Sequence, residues 1–176
     1  DAGNNTYISL LEPALYSSLT ITKGPSAGIY GAGTGVLLFE SAPRGNSLKA
    51  ETVYRTLGGI RTAVDLSSEN HRLFASFNQQ EGYRAQSDLK KQWISYEFHH
   101  SFAKELNLDL SAFYVDLTYQ TPGGLTKAQF LANPRQARPA AGLFKSAEQQ
   151  GATFKIKSTG LSARASQVIN NRWAWD

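Results

Sequence analysis

Leu106-Asn107-Leu108-Asp109-Leu110-Ser111-Ala112-Phe113-Tyr114 places Leu106, Leu108, Leu110, Ala112 and Tyr114 on one stripe and Asn107, Asp109 and Ser111 on the other. Successive side chains of an extended chain point to opposite faces, so this spacing predicts a strand with one apolar and one polar face. The period recurs throughout the segment after Asn46. Leu48, Ala50, Thr52 and Tyr54 alternate with Lys49, Glu51, Val53 and Arg55, and Ile60, Thr62, Val64 and Leu66 with Arg61, Ala63, Asp65 and Ser67. Leu73, Ala75 and Phe77 oppose Arg72, Ser76 and Asn78, with Phe74 out of pattern, and Ile94, Tyr96 and Phe98 oppose Ser95, Glu97 and His99. A sixth run, from about Thr153 to Val168, reads as slipping phase near Gly160, and Trp173 and Trp175 begin a seventh. The expected fold class is all-β and antiparallel.

Composition narrows the function. The 176 residues carry 18 Lys plus Arg against 14 Asp plus Glu, a net charge of +4 with no run of like charges, which does not indicate a nucleic-acid partner. The absence of Cys excludes a disulfide framework, a thiolate zinc site and a thiol nucleophile. Met is absent even at position 1, so the sequence reads as mature, excised or part of a longer chain. The longest unbroken apolar run is Val36-Leu37-Leu38-Phe39, far short of the roughly 20 residues of a spanning helix, whereas a barrel strand crosses with about 9 to 11, half of them polar.

The composition shifts once, around Ala42-Pro43-Arg44-Gly45-Asn46, which divides residues 1–45 from residues 46–176. Before it, Gly24, Gly28, Gly31, Gly33 and Gly35 lie between strand candidates at Leu19 to Lys23 and Gly35 to Glu40. Gly31-Ala32-Gly33-Thr34-Gly35 has the look of a phosphate cradle, but the segment that follows reads as a strand and not a helix, so a glycine turn between strands is the better reading. After it, connections differ in length: Ser67 to Asn70, His100 to Glu105 and Ile169 to Arg172 are short, whereas Asn78 to Asp88 and about Gln120 to Glu148 are long. The short link Leu57 to Gly59 breaks the pattern. Trim turns at one end and long loops at the other suit an outer-membrane barrel.

A soluble antiparallel sandwich has the same alternation. Three features favour a barrel: segments of ten or more residues, mid-strand charges (Lys49, Glu51, Arg61, Asp65, Glu97), and aromatics near segment ends (Tyr54, Trp93, Phe98, Phe102, Tyr114, Tyr119, Trp173) that suit an interfacial girdle. The even-numbered faces are then expected to meet lipid.

No catalytic constellation is found, and the chain is not expected to be an enzyme. There is no Gly-x-Ser-x-Gly elbow and no Ser/His/Asp ordering. His99 and His100 are strand neighbours on opposite faces, unable to share one ion, so no metal site is expected. The candidate ligand-binding residues are in the long links: Tyr83 and Arg84, then Arg135 and Arg138, whose guanidinium forks suit carboxylate, phosphate or catecholate-like anions.

Thr22-Lys23-Gly24-Pro25-Ser26-Ala27-Gly28-Ile29-Tyr30-Gly31-Ala32-Gly33-Thr34-Gly35-Val36 resembles the plug motif of the TonB-dependent outer-membrane receptors. Phe74-Ala75-Ser76-Phe77-Asn78, Glu81-Gly82-Tyr83-Arg84 and Tyr119-Gln120-Thr121-Pro122-Gly123-Gly124-Leu125-Thr126 are similar to early barrel strands and loops of the family's iron-chelate branch. The resemblance implies that residues 1–45 are the C-terminal part of a plug and residues 46–176 the first six to seven strands of a transmembrane β-barrel. It implies a structural role for Lys23, Gly24, Pro25, Tyr30, Gly31, Gly33 and Gly35, and a bacterial outer-membrane location. It also implies uptake of a ferric siderophore or similar metal chelate, with no intrinsic cofactor, and outer-membrane lipid and the TonB energy-transducing complex as partners. Plugged barrels of this kind close with about 22 strands, so the rest of the receptor chain or a completing subunit is implied as well. The alternatives are a soluble β-sandwich module binding carbohydrate or protein, and a structural component of a cell-envelope assembly.

Overall fold

The computed structural model describes residues 10–25, 35–42, 45–102, 106–170 and 173–175, the last three and 168–170 by backbone alone. It is mostly β and antiparallel, in two compact units, 1–45 and 46–176.

The first unit holds a short 3-10 turn, Pro13–Leu15, and the antiparallel pair β1 (Tyr16–Lys23) and β2 (Gly35–Ser41). Both strand candidates of this region are thus strands, each a little longer than expected. Tyr16 packs on Phe39 with ring centroids 4.9 Å apart. Lys23 pairs with Gly35, and Gly24 follows with φ +74°, a left-handed conformation that glycine adopts without a Cβ clash. Tyr30, Gly31 and Gly33 lie outside the described residues, as does most of the glycine-rich run.

The second unit is one seven-stranded meander in sequence order: β3 (Ser47–Arg55), β4 (Gly59–Ser67), β5 (His71–Gln80), β6 (Leu89–Phe102), β7 (Leu106–Gln120), β8 (Thr153–Asn170) and β9 (Trp173–Trp175). Two short helices, α1 (Lys127–Ala132) and α2 (Ala147–Gln150), sit in the β7–β8 connection, each opened by a capping box, Thr126 with Gln129 and Ser146 with Gln149. The strands lengthen along the sheet, from 9 residues in β3 to 14, 15 and 18 in β6, β7 and β8, well beyond the five or six usual in globular sheets.

Register aligns the apolar stripes into lateral rows. Leu48, Leu66, Leu73, Tyr96, Ala112 and Leu161 form one row, and Ala50, Val64, Ala75, Ile94, Tyr114 and Thr159 the next. The stripe is even-numbered in β3, β4, β6 and β7 but odd-numbered in β5 and β8, because connection lengths reset the parity. This corrects the expectation of a uniformly even-numbered face.

Burial runs opposite to that of a water-soluble sheet. On the apolar face Leu48 is 70% exposed, Leu66 51%, Ile94 48% and Leu161 83%, while on the other face Arg72 is 4% exposed, Lys91 8% and Ser95 7%. The charged face pairs laterally and is covered at its centre, around Arg72, while β3 at the edge is exposed on both faces. Arg72 donates to Asp65 through both Nε (3.0 Å) and Nη2 (2.8 Å), Arg61 pairs with Glu51, and His99 Nδ1 meets Asp109 Oδ1 at 2.7 Å.

Toward the long loops the pattern inverts. In β6, β7 and β8 the apolar face turns polar at Gln92, Asp116 and Lys157 and stays so at Lys90, Thr118 and Lys155, which are register neighbours. The opposite face there carries Val115, Leu117, Tyr119, Phe154 and Ile156, with Val115 0% and Leu117 1% exposed. This inversion is what reads in the sequence as a phase slip near Gly160. The β7–β8 register is in fact unbroken from Gln120↔Thr153 to Leu106↔Gln167. Phe74, out of pattern in the sequence, lies on the charged face opposite Ser95 and is 2% exposed.

The girdle expectation is corrected in part. Tyr54, Phe98, Phe102 and Tyr114 share the apolar face, but Trp93 and Tyr119 lie on the other. Trp93 is 6% exposed and stacks on Phe113, with centroids 5.0 Å apart and planes 3° from parallel, because its row-mates Ser76, Val115 and Ser158 leave room for the indole.

Candidate functional site

The meander brings three connections to one end of the sheet: the turn after β3, the β5–β6 loop and the long β7–β8 loop. The turn reverses through Leu57 and Gly58, both left-handed at φ 62° and 65°, and Glu81 N–H donates to Leu57 C=O at 3.3 Å. In the β5–β6 loop Gly82 has φ +81°, and a Cβ there would lie 2.3 Å from Ser87 Oγ. That close approach lets Ser87 Oγ accept from Arg84 N–H (3.2 Å) and donate to Arg84 C=O, a turn that projects Tyr83 and Arg84.

Three of the four expected ligand residues come together. The Arg135 guanidinium lies 5.3 Å from the Tyr83 ring centroid, a cation–π contact. Ala85 N–H donates to Arg135 C=O at 2.8 Å and Arg84 Nε to Gln136 C=O at 3.0 Å, so the β5–β6 loop is clasped to the middle of the β7–β8 loop. Arg84 Nη2 is buried with no hydrogen-bond partner among the described residues. Arg135 is exposed, and Tyr83 is half exposed. The cluster therefore offers an accessible aromatic–guanidinium pair, Tyr83 and Arg135, held in place by Arg84, an arrangement suited to an anion that meets Arg135.

Arg138 is committed to the inside of the long loop. Its N–H donates to Pro122 C=O at 2.7 Å and its Nη2 to Lys145 C=O at 3.0 Å, while its own carbonyl accepts from Ala147 N–H at 2.9 Å. Gly123, at φ +72°, lies against it, where a Cβ would approach Arg138 Cβ to 2.8 Å. Arg138 thus has a scaffolding contact as well as a charge.

Four apolar side chains of the same loop were not singled out from the sequence: Phe130 and Leu131 on α1, and Leu143 and Phe144 at a turn closed by the Ala141↔Phe144 bridge. All are exposed, Leu143 fully. The available signal was the presence of large apolar residues in a segment without strand periodicity.

At the opposite end the histidines separate by face. His99 joins Asp109 on the charged face, while on the apolar one His100 stacks on Phe98 and meets Phe102 edge to face. His71 Nδ1 lies 2.7 Å from Tyr96 Oη. Among the described residues no three His, Asp or Glu side chains converge on a metal position. On the charged face Lys91 lies over Trp93 at 5.6 Å, and Trp93 Nε1 and Ser67 Oγ are buried without hydrogen-bond partners among the described residues. No protein-family model matches the chain.

Proposed function

We propose that this chain is a segment of a plugged outer-membrane receptor that takes up a ferric siderophore or similar anionic metal chelate through TonB, without itself catalysing a bond change. The single observation that carries the reading is the reversed sheet, with its apolar rows open while Arg72, Lys91 and Ser95 on the other face are buried. Keeping that face in water would forfeit on the order of 1 kcal/mol for each half-exposed side chain, whereas hydrocarbon is a favourable solvent for it. The length of the stripe agrees. Leu106 to Tyr114 extend about 27 Å along β7 at ~3.4 Å per residue, or about 21 Å of height at a strand tilt near 40°, close to the apolar band of roughly 25 Å on such barrels.

A soluble sandwich would cover those rows with a second sheet, and their exposure speaks against it. β3 is exposed and pairs on one side only among the described residues, which supports completion of the wall by further strands, since an open edge in lipid leaves backbone groups unsatisfied at several kcal/mol each. The Tyr83–Arg84–Arg135 cluster supports an anionic chelate as cargo, met at the long-loop end.

The test is binding of a panel of ferric carboxylate, catecholate and hydroxamate chelates by the full-length receptor in detergent, followed by intrinsic fluorescence. At least one chelate is expected to bind, with Arg135→Ala weakening it by about tenfold or more, as for loss of a charge-assisted contact. Absence of binding across the panel would remove the transport reading.

A further inference from the structure

We infer that the chelate is amphiphilic: its anionic, iron-holding part meets Arg135, and an acyl chain attached to it is covered by the apolar side chains of the β7–β8 loop. This rests on the transport reading and adds to it the class of cargo.

Phe130 and Leu131 on α1, and Leu143 and Phe144 at the Ala141↔Phe144 turn, are all exposed. Large apolar side chains gathered at a surface mark a binding region. Hydrogen bonds fix both pairs. Gln136 Nε2 donates to Gln129 C=O at 2.7 Å and Arg135 N–H to Asn133 Oδ1 at 3.0 Å. The helix that carries Phe130 and Leu131 is thereby tied to the segment that carries Arg135 and, through its guanidinium, to Tyr83. Next to Phe144, Lys145 C=O accepts from Arg138 Nη2 at 3.0 Å and from Gln150 Nε2 at 2.9 Å.

The charge of the loop selects what covers these side chains. Residues 121–152 hold Lys127, Arg135, Arg138 and Lys145 against the single carboxylate of Glu148. Apolar surface set among cations fits an anion with a hydrocarbon part better than a neutral or cationic molecule.

The bilayer is set apart from the loop by the strands beneath it. Facing outward, β6, β7 and β8 turn from apolar to Gln92, Asp116 and Lys157 and then to Lys90, Thr118 and Lys155. Tyr114 to Gln120 extend about 20 Å along β7 at ~3.4 Å per residue, so this polar collar separates the loop from the lipid-facing rows. On the opposite face the same stretch is apolar up to the roots of the loop. There Tyr119 stacks on Phe154 with centroids 5.4 Å apart, and Phe154 is half exposed. The inversion of the faces thus removes apolar surface from the outside and supplies it on the inside, which suits a hydrocarbon chain that enters with the cargo.

The test compares ferric carboxylate, catecholate and hydroxamate chelates, each with and without one decanoyl amide at an atom that does not hold iron. Bound iron is counted on the full-length protein in lipid nanodiscs, against nanodiscs without protein. At least one chelate is expected to bind about tenfold or more tighter in its acylated form, the gain from covering roughly two methylenes. Phe130→Ser with Leu131→Ser should lower that gain about fivefold and leave the unacylated form unchanged, and Leu143→Ser with Phe144→Ser should act in the same direction. Ala128→Ser, exposed on the same helix, should change neither form.

Equal binding of the two forms of every chelate would overturn the inference. So would a gain that survives all four substitutions, which would put the chain in the bilayer, or an equal loss of both forms, which would mean that these residues only hold the loop together. If chelates bind and the acyl chain adds nothing, this inference falls alone. If no chelate binds in either form, the transport reading falls with it.

Discussion

Gly160 of β8 stands directly across from Phe113 of β7, and a Cβ at Gly160 would lie 2.0 Å from Phe113 Cε1. The glycine is therefore part of the packing of the charged face: its missing side chain is where the ring lies that stacks on Trp93. Gly160→Ala is expected to force the ring off that stack and to cost about 1–3 kcal/mol, the usual range for overpacking. Phe113→Ala in the same chain should return part of that loss, which a double-mutant cycle on denaturant unfolding in detergent would measure. Additive losses would show that the two positions do not share space.

The Arg72–Asp65 pair yields a second expectation from its burial, with Arg72 4% and Asp65 14% exposed at the side chain. Arg72→Met leaves a covered carboxylate without its bidentate partner and should destabilise the folded sheet by about 3–5 kcal/mol. Adding Asp65→Leu should recover most of the loss, because removing both charges removes the orphan. The check is the urea midpoint of each variant in lipid vesicles.

Much of the second unit was legible in the sequence because period-two alternation needs no knowledge of neighbours. Leu106 to Tyr114 reads as a strand by itself and is one. The inversion of the faces was not legible, because it is a lateral property. Only the pairing of Asp116 with Gln92 and Lys157 shows that three strands change character side by side, and along β8 alone the change looks like a slip at Gly160. Phe74 and Trp93 misled for a related reason, each being a large ring on the face that in its own strand is otherwise polar, beside Arg72 and Ser76 in β5 and Lys91 and Ser95 in β6.

In the loops, Tyr83, Arg84 and Arg135 could be named from residue chemistry. Their meeting could not be, since Arg84 and Gln136 are 52 positions apart in the chain and are joined by one side-chain bond to a backbone carbonyl.

That bond gives a third expectation. Arg84→Ala removes the link from the β5–β6 loop to Gln136 while leaving the Ala85 N–H to Arg135 C=O bond and the Tyr83–Arg135 contact in place. Amide exchange at Ala85 is expected to quicken by about fivefold to tenfold, in keeping with roughly 1–1.5 kcal/mol for one hydrogen bond, while exchange in mid-β7 stays unchanged. Equal quickening in both places would mean global destabilisation instead of a loosened clasp.

A fourth expectation contrasts neighbours on β7. Leu110 is 40% exposed on the apolar face, and Ser111 lies on the charged one. In lipid vesicles Leu110→Arg should cost about 2–4 kcal/mol, as for a cation in hydrocarbon, and Ser111→Arg much less, since that face already accommodates Arg61, Arg72 and Arg164. Folded fractions from heat-modifiable gel mobility would report the difference.

The measurement that bears most directly on the reversed sheet is a nitroxide accessibility scan of β7 from Leu106 to Gln120, with single cysteines introduced into a stretch of 176 residues that has none of its own. The full-length protein in lipid vesicles should give oxygen-accessible labels at positions 106, 108, 110, 112 and 114. Positions 107, 109 and 111 should not share that accessibility, and from 116 onward the even positions should respond to a water-soluble nickel reagent. Even positions from 106 to 114 that are shielded from both reagents, as in a dry core between two sheets, would contradict it.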